Sequence, residues 1–112
     1  MINKSELVKQ FFEAFSNQAD LDFVEKLLAT NFTFSAPPDP LLDREGFFNI
    51  CWPQGHNLKE LTYVRILECG NEVIVTHEYT KPDGVRGCNT DIVTFAGDKI
   101  TRLEAYFGWD IT

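Results

Sequence analysis

EVIVTHEYTKPDGVRGCNTDIVTF, residues 72–95, decides the fold, because it reads as two β-strands joined by a tight turn. KPDG, residues 81–84, is typical of a hairpin turn, since proline suits the second position of a β-turn and glycine the last. Val93 and Phe95 suit a packed sheet. Asp91 is the exception, because a carboxylate is costly to bury without a partner. The stretch predicts an antiparallel pair in which the direction of Asp91 needs an explanation.

The turn determines which residues of the two strands lie opposite each other. Such a loop most often forms a type I turn with a glycine bulge, which places His77 opposite Asn89 and Val75 opposite Asp91. Directly opposed residues share a face, and a two-residue Gly70-Asn71 loop connects the preceding strand. The predicted inner face carries Val64, Ile66, Val75, His77, Tyr79, Asn89, Asp91 and Val93. A slip of one residue would reverse His77 relative to Asp91.

Two amphipathic helices are predicted near the N-terminus. Apolar residues recur at helical spacing in SELVKQFFEAF and again in DLDFVEKLLATN. Asn3 or Ser5 is expected to cap the first helix, and Asp20 the second, which we expect to end at Asn31. Helices first and an antiparallel meander after them indicate an α+β fold. The length of 112 residues predicts one domain, residues 1–112.

A short strand and a third helix are predicted between these helices and the meander. The strand FTFSA runs into the prolines of PPDP, which cannot donate to a β-ladder. The third helix is expected to start at Asp43 and to end at Pro53. In the last strand, alternation predicts an inner side of Thr101, Leu103, Ala105, Phe107 and Trp109.

The outer side of the sheet has a mixed composition. This flat surface is too polar to belong to a core and too apolar to be fully exposed to water. It is therefore expected to be a subunit interface. The sequence therefore predicts a homodimer that forms through the outer sheet face. The predicted outer face carries Tyr63, Arg65, Ile74, Thr76, Glu78, Thr90, Ile92, Thr94 and Tyr106.

Composition excludes several classes of partner. The net charge of −7 argues against nucleic acid and anionic membrane surfaces, which both need a basic footprint. No apolar run is long enough to span a bilayer, and the N-terminus lacks the pattern of a signal peptide. Cys51, Cys69 and Cys88 are widely spaced, which indicates free thiols and a cytoplasmic protein. No metal-ligand cluster or phosphate loop is present, so we expect neither a metal nor a cofactor.

The order of elements resembles a known superfamily. Two amphipathic helices, a strand running into prolines, a helix opening DREGFF and a meander ending DKITRLEAYF are similar to the nuclear transport factor 2-like superfamily, most of all to its ketosteroid isomerase-like and polyketide cyclase-like branch. The resemblance covers nearly the whole chain. It implies a cone in which a strongly curved, mixed but mainly antiparallel sheet wraps three N-terminal helices and leaves a deep apolar pocket. It also implies dimers that form through the sheet.

The functional residues of the isomerases are carried over one at a time. Their tyrosine on the first helix is matched by Phe12, and their general-base aspartate before a proline by Ala36. Their second oxyanion donor, an aspartic acid four residues before a Phe, is matched by Asp91 in DIVTF. Because only Asp91 is retained, the resemblance does not imply steroid isomerisation by that mechanism. Asp39 can replace the base only if the PPDP loop folds inward.

Asp91 and His77 are the candidate catalytic residues. A His–Asp pair in an apolar cavity can move a proton near neutral pH, with the carboxylate orienting the ring. Alternatively, a protonated Asp91 donates to a carbonyl oxygen, as in the ketosteroid isomerase that serves as the standard example of such tuning. The competing interpretations are an Asp91 that is solvated or arginine-paired at the rim, and a His77 that is simply half-buried.

A small apolar ligand is expected in the pocket. The candidate ligand-binding residues are Phe12, Phe15, Phe34, Trp52, Val75, Tyr79, Asn89, Ala105, Phe107 and Trp109. For a single aromatic residue in this set, plain core packing is the competing interpretation. Two functional classes follow: a cofactor-free isomerase, cyclase, dehydratase or hydrolase that transfers a proton on an apolar carbonyl compound, or a non-catalytic module that binds a hydrophobic ligand or dimerises.

Overall fold

The computed structural model describes residues 3–36 and 41–108 of the chain. The helices are α1 (Lys4–Asn17), α2 (Leu21–Leu27) and the short α3 (Arg44–Gly46), which a π-helical turn (Phe47–Cys51) and a 3-10 turn (Trp52–Asn57) extend. The strands are β1 (Leu28–Ser35), β2 (Leu42–Asp43), β3 (Lys59–Cys69), β4 (Glu72–Thr80), β5 (Arg86–Ala96) and β6 (Lys99–Phe107). Within these described ranges, no helix is long and apolar enough to cross a membrane.

The six strands form one open sheet in the order β2-β1-β6-β5-β4-β3. β1 runs parallel to β6, and the other neighbouring strands pair in antiparallel fashion. The predicted α+β class, with three helices and a mixed but mainly antiparallel sheet, is confirmed. Because β5 and β6 lie in the middle of the sheet, their inner residues have neighbours on both sides.

The register of the central hairpin is the one that the KPDG turn predicts. The backbone N–H of Lys81 donates to the carbonyl oxygen of Val85 at 2.9 Å, which closes the turn. His77 pairs with Asn89, as predicted. Val75 likewise pairs with Asp91, so that His77 and Asp91 are diagonal neighbours on one face.

A bulge in β3 interrupts the predicted alternation. The register shifts after Tyr63, which pairs with His77 and donates from its hydroxyl to the backbone oxygen of Lys9 on α1. Val64 is 47% exposed. The predictions that Val64 faces inward and Tyr63 outward are therefore wrong, because the alternation counted back from the Gly70-Asn71 turn is reversed on the far side of the bulge. Ile66, beyond the bulge, lies on the inner face as predicted.

A second bulge lies where β5 and β6 meet the turn between them. Phe95 pairs with Ile100 and Thr94 with Arg102, so Thr101 is left without a direct partner. Ile100 is fully buried. Ile100 takes the inner position that simple alternation assigned to Thr101, and the predicted alternation is recovered only further along β6.

The ends of the first two helices differ in part from the prediction. The side-chain oxygen of Asn3 accepts from the backbone N–H of Glu6 at 3.0 Å, so Asn3 is the cap of α1. Asp20 occupies the cap position of α2 but makes no side-chain capping bond. α2 ends at Leu27 rather than at Asn31, because the chain passes directly into β1.

The third helical segment starts as predicted but changes its winding. Asp43 caps it by accepting from the backbone N–H of Gly46 at 2.8 Å. Pro53 does not end the segment; it lies in the first turn of the 3-10 portion, where the missing N–H costs least. Gly55 lies against the last turn of α1, and a Cβ atom there would clash with the carbonyl oxygen of Phe15. The backbones of the two segments therefore touch directly at this glycine.

The core lies between the helices and the inner face of the sheet. Phe11 of α1 stacks with Phe15 and Phe47 at ring-centroid distances of 6.2 and 6.3 Å. Phe32 of β1 meets Phe47 edge to face at 5.2 Å. Burial of these rings supplies much of the hydrophobic stabilisation that holds α1 and the third helical segment on the sheet.

The outer face of the sheet carries both apolar and polar side chains, as the sequence predicts. Ile74 pairs with Ile92, and the hydroxyl groups of Thr76 and Thr90 are 2.9 Å apart. Tyr106 is 44% exposed. These groups form a mixed patch of the kind that a second copy of the chain can cover.

We expect the protein to be a homodimer that buries roughly 1,000 Å² or more in total at this patch. Light scattering at micromolar concentration should give twice the mass of 12.8 kDa. Ile92→Lys should shift the mass towards the monomer, since it replaces an apolar side chain of the interface with a charge that has to be desolvated when the second copy binds. Gln10→Lys, on the exposed side of α1, is the control and should leave the mass unchanged. A monomeric wild-type protein would contradict the interface.

Candidate functional site

A cavity of about 450 Å³ lies between the helices and the inner face of the sheet. Aliphatic and aromatic side chains form most of its wall, and a few polar side chains interrupt them. The lining residues are Phe11, Phe12, Phe15, Phe34, Ala36, Leu42, Phe47, Ile50, Cys51, Gln54, Asn57, Leu58, Asn89, Asp91, Leu103, Ala105 and Phe107. A pocket of this size and composition suits a small apolar molecule with few polar groups.

Asp91 contributes a carboxyl group to the wall of this cavity. It lies in the middle of β5, opposite Ala105 of β6, and is 3% exposed. Its Oδ2 atom is 2.9 Å from Nε2 of His77. Its Oδ1 atom is buried and has no hydrogen-bond partner among the described residues. A buried polar atom without a partner is unusual in a protein, and here it belongs to a side chain that lines a cavity.

His77 lies behind Asp91 and does not line the cavity. Its side chain is fully buried, and the Phe12 ring packs against it at a centroid distance of 4.9 Å. Its Nδ1 atom has no hydrogen-bond partner within residues 3–36 and 41–108. His77 is therefore separated from the cavity by Asp91, and the catalytic roles predicted for the two residues stay a prediction.

The environment of Asp91 favours its protonated form. Burial away from water raises the pKa of Asp91 above its ordinary value of 3.8. The hydrogen bond from His77 and the charge of that ring oppose this shift but do not cancel it. A raised pKa brings the carboxyl group closer to neutral pH, where it can both give and take a proton.

Cys51 is a second titratable group in the cavity wall. Burial, and to a smaller extent the negative charge of Asp91, raise the pKa of its thiol to about 12. Cys51 is thus a neutral thiol at physiological pH and a poor nucleophile. Its position in the cavity follows from the π-helical turn, which sequence reasoning did not foresee.

Asn89 and Tyr79 form a second polar pair on the inner face. Asn89 lines the cavity two residues before Asp91 on β5, and only 4% of it is exposed. The hydroxyl of Tyr79 donates to the Oδ1 atom of Asn89 at 2.9 Å. Tyr79 itself does not line the cavity, so it acts on the cavity through Asn89.

Most of the candidate ligand-binding residues line the cavity, and three do not. Phe12, Phe15, Phe34, Asn89, Ala105 and Phe107 belong to its wall. Val75, Tyr79 and Trp52 lie outside it; Trp52 instead packs on Phe15, with ring centroids 5.6 Å apart. Trp109 and Asp39 lie outside the described residues.

The part of the cavity wall that the third helical segment forms was missed from the sequence. Ile50, Cys51 and Gln54 of the third segment line it, together with Asn57 and Leu58. A regular helix was expected there, and its periodicity does not give the face that a π-helical turn followed by a 3-10 turn presents. The proline and glycine of WPQG signal irregular backbone in this region.

Comparison of the sequence with models of protein families identifies a family whose model matches most of the chain. The family model of the SnoaL-like domain matches residues 8–103. The match begins in α1 and ends in β6, so it spans both walls of the cavity. No protein with a curated function matches the sequence significantly.

Solved structures share the fold. A nuclear transport factor 2-like protein of unknown function from Cytophaga hutchinsonii is 23% identical with a TM-score of 0.70, and the match covers 96% of this chain and 92% of that one. An uncharacterised protein with a cystatin-like fold from Silicibacter pomeroyi is 18% identical, with a TM-score of 0.75 and coverage of 92% of this chain and 74% of that one. A hypothetical protein with a ketosteroid isomerase-like fold from Catenulispora acidiphila, in complex with trimethylamine, is 15% identical, with a TM-score of 0.74 and coverage of 92% and 85%. At these identities the likeness shows the fold alone.

Ala105→Trp is expected to fill the cavity, because Ala105 lies opposite Asp91 and lines the wall. Binding of an apolar fluorescent dye to the folded wild-type protein should saturate at one dye per chain. The variant should lose at least about tenfold in dye affinity, since the indole occupies the binding volume. Ala96→Trp, at the exposed end of β5, is the matched control. Equal dye binding by a folded Ala105→Trp variant would contradict the placement of the cavity.

The raised pKa of Asp91 predicts a pH dependence of stability. The folded protein holds this proton more tightly than the unfolded chain does. The resulting stabilisation is complete below the unfolded pKa, near 3.8, and is lost as the pH rises through the folded pKa.

The measurement is urea unfolding of the wild type and of Asp91→Asn at several pH values. The free energy of unfolding of the wild type minus that of the variant should fall as the pH increases from about 4, by at most ~1.4 kcal/mol per pH unit. Asp91→Asn is preferred to Asp91→Leu, which leaves the buried Nε2 of His77 without a partner. A difference that grows with pH would indicate a lowered pKa and a structural ion pair.

Proposed function

The chain belongs to the SnoaL-like domain family of the nuclear transport factor 2-like superfamily, and from this premise we propose that it is a cofactor-free enzyme that transfers a proton on a small apolar carbonyl compound. The observation that carries the proposal is the buried Oδ1 atom of Asp91, which has no partner among the described residues. It belongs to a carboxyl group in a mainly apolar cavity. An acid or base needs an atom of this kind, within reach of a ligand and shielded from water.

The proposed reaction is proton abstraction at a carbon next to a carbonyl group. In its ionised form, Asp91 takes this proton on Oδ1, and the electron pair of the broken C–H bond forms an enolate. Return of the proton from Asp91 to a different carbon gives an isomer. If the proton on Asp91 is first replaced by one from the solvent, return to the same carbon gives isotope exchange. Both outcomes need one group that acts as base and then as acid, which a carboxyl group with a raised pKa does well.

His77 supports Asp91 in this scheme without touching the substrate. With a proton on Nε2, it donates to Oδ2 at 2.9 Å and leaves Oδ1 for the ligand. This hydrogen bond stabilises the ionised carboxylate and therefore limits the rise of the Asp91 pKa. The packing of Phe12 against the ring holds His77 in this orientation. His77 is a positioning residue in this proposal.

The rest of the wall supports chemistry with a single base. Ala36 lines the cavity at the position where the resemblance to the isomerases would place a base, and it has no titratable group. Cys51 is neutral because its pKa is about 12. Within the described part of the wall, Asp91 is thus the one side chain able to accept a proton at neutral pH.

A second candidate function is binding without chemistry, and the apolar Ala36 favours it. A carboxylate among phenylalanine rings is also suited to a small alkylammonium ion, which is attracted by the charge and by the ring faces. The Catenulispora acidiphila protein of similar fold was solved with trimethylamine. In this function the ligand would keep Asp91 ionised and no proton would leave a carbon atom.

Exchange of the α-protons of 2-tetralone in D2O, followed by NMR, tests the proposed reaction. The wild type should accelerate exchange over buffer, and Asp91→Asn should remove the acceleration while retaining ketone binding within about tenfold, because the amide keeps the shape but takes no proton. The control is Asp98→Asn, an exposed carboxylate in the turn between β5 and β6.

Binding of trimethylammonium, measured by NMR titration of the same proteins, separates the two functions. Binding of 2-tetralone with exchange that depends on Asp91 supports the enzyme. Exchange at the buffer rate, together with trimethylammonium binding that Asp91→Asn weakens, would replace it with the binding function.

A further inference from the structure

Asn89 is a second polar group in the cavity wall, and the proposed proton transfer leaves it unused. It shares the inner face of β5 with Asp91, two residues away, so their Cα atoms are separated by about 7 Å. Asn89 is 4% exposed and lines the same cavity. A buried amide in a mainly apolar wall is expensive unless its donors and acceptors are satisfied.

The hydrogen bond from Tyr79 determines which half of the amide is available. The Tyr79 hydroxyl donates to Oδ1 of Asn89 at 2.9 Å. The oxygen is therefore occupied, and the NH2 group is the part of Asn89 that can serve a ligand. Tyr79 is buried and lies on β4, where its backbone pairs with Gly87. A Cβ atom at Gly87 would lie 3.1 to 3.2 Å from atoms of the Tyr79 ring, so the absence of a side chain there makes room for the phenol.

We propose that the NH2 group of Asn89 binds the carbonyl oxygen of the substrate and stabilises the enolate as Asp91 removes the neighbouring proton. This inference rests on the proposed function and assigns the oxyanion donor for that site. Asn89 is then a catalytic residue, and Tyr79 is the positioning residue that keeps the amide in its donor orientation. A preorganised donor aimed at the developing negative charge is a large contribution to such a reaction.

The spacing of the two side chains fits this division of roles. In a ketone, the α-carbon and the carbonyl oxygen are separated by only two bonds. A ligand that places its α-carbon at Asp91 and its oxygen at Asn89 lies along β5, between two groups whose Cα atoms are about 7 Å apart. Phe107, which pairs with Asn89, is 60% exposed, whereas Ala105, which pairs with Asp91, is 5% exposed. The oxygen would therefore lie towards the more open end of the cavity, and the reacting carbon in its interior.

Infrared spectroscopy of bound 2-tetralone, labelled with 13C at the carbonyl carbon, tests the inference directly. A hydrogen bond from Asn89 should lower the carbonyl stretching frequency relative to the same ketone in an apolar solvent. Asn89→Leu should remove this shift and lower the turnover number for α-proton exchange by about 100-fold or more. The Michaelis constant should change by less than about tenfold, because the donor acts mainly on the enolate.

Two further variants separate donation from structural effects. Tyr79→Phe should lower the turnover number and broaden the carbonyl band, while the pH profile governed by Asp91 keeps its midpoint. The double variant Tyr79→Phe/Asn89→Leu removes both partners of this hydrogen bond together, and replaces the single Asn89 variant in the test if that variant fails to fold. Asn31→Leu, on an exposed position of β1, is the matched control.

The possible outcomes distinguish this inference from the proposed function. If the ketone binds without exchange, the enzyme proposal fails. The infrared shift then tests by itself whether Asn89 binds the carbonyl oxygen of the ketone. A carbonyl shift that persists in Asn89→Leu, or in the double variant, overturns the inference and makes a protonated Asp91 the donor. If the wild type binds no ketone at all, both proposals are overturned.

Discussion

The register between β4 and β5 is the constraint on which the site depends. It is set locally by the KPDG turn, where Lys81 donates to the carbonyl oxygen of Val85. Because side chains alternate along a strand, a slip of one residue would move a member of each polar pair to the opposite face. The 2.9 Å contact between His77 and Asp91 and the 2.9 Å contact between Tyr79 and Asn89 would both be lost. This turn thus positions Asn89 and Asp91, the two polar side chains of β5 that line the cavity, and the residues of β4 that contact them.

The two polar pairs have the same construction but different chemical consequences. In each pair, a side chain of β4 forms a hydrogen bond with one of the two polar atoms of a side chain of β5. For Asn89 the remaining group is an amide, which has no charge to gain or lose. For Asp91 it is a carboxyl oxygen whose protonation depends on burial, because burial is the largest influence on its pKa. The strand pair thereby presents one fixed dipole and one titratable group to the same cavity.

The sequence predicts the sheet side of the molecule better than the helical side. Hairpin register follows from turn chemistry, so the inward direction of His77, Asn89 and Asp91 could be derived. The bulge after Tyr63 could not, because its residues carry no glycine or proline that would mark it. Cys51 was also missed as a wall residue, since a π-helical turn is selected by tertiary packing and leaves no periodic signal. Periodicity predicts which face of a helix or strand is apolar, but tertiary packing decides which residues of that face line a cavity.

The contact between Gly55 and the carbonyl oxygen of Phe15 has a consequence for how this site can change. Two backbones that touch leave no side chain between them, so substitution cannot adjust their separation. The distance between α1 and the 3-10 turn is then a fixed dimension of the molecule, whereas the wall at Ala105 and Leu103 is made of side chains that can be exchanged. Substitutions selected for larger or smaller ligands, in nature or in the laboratory, should therefore exchange wall side chains such as Ala105 and Leu103 and leave the backbone contact at Gly55 unaltered.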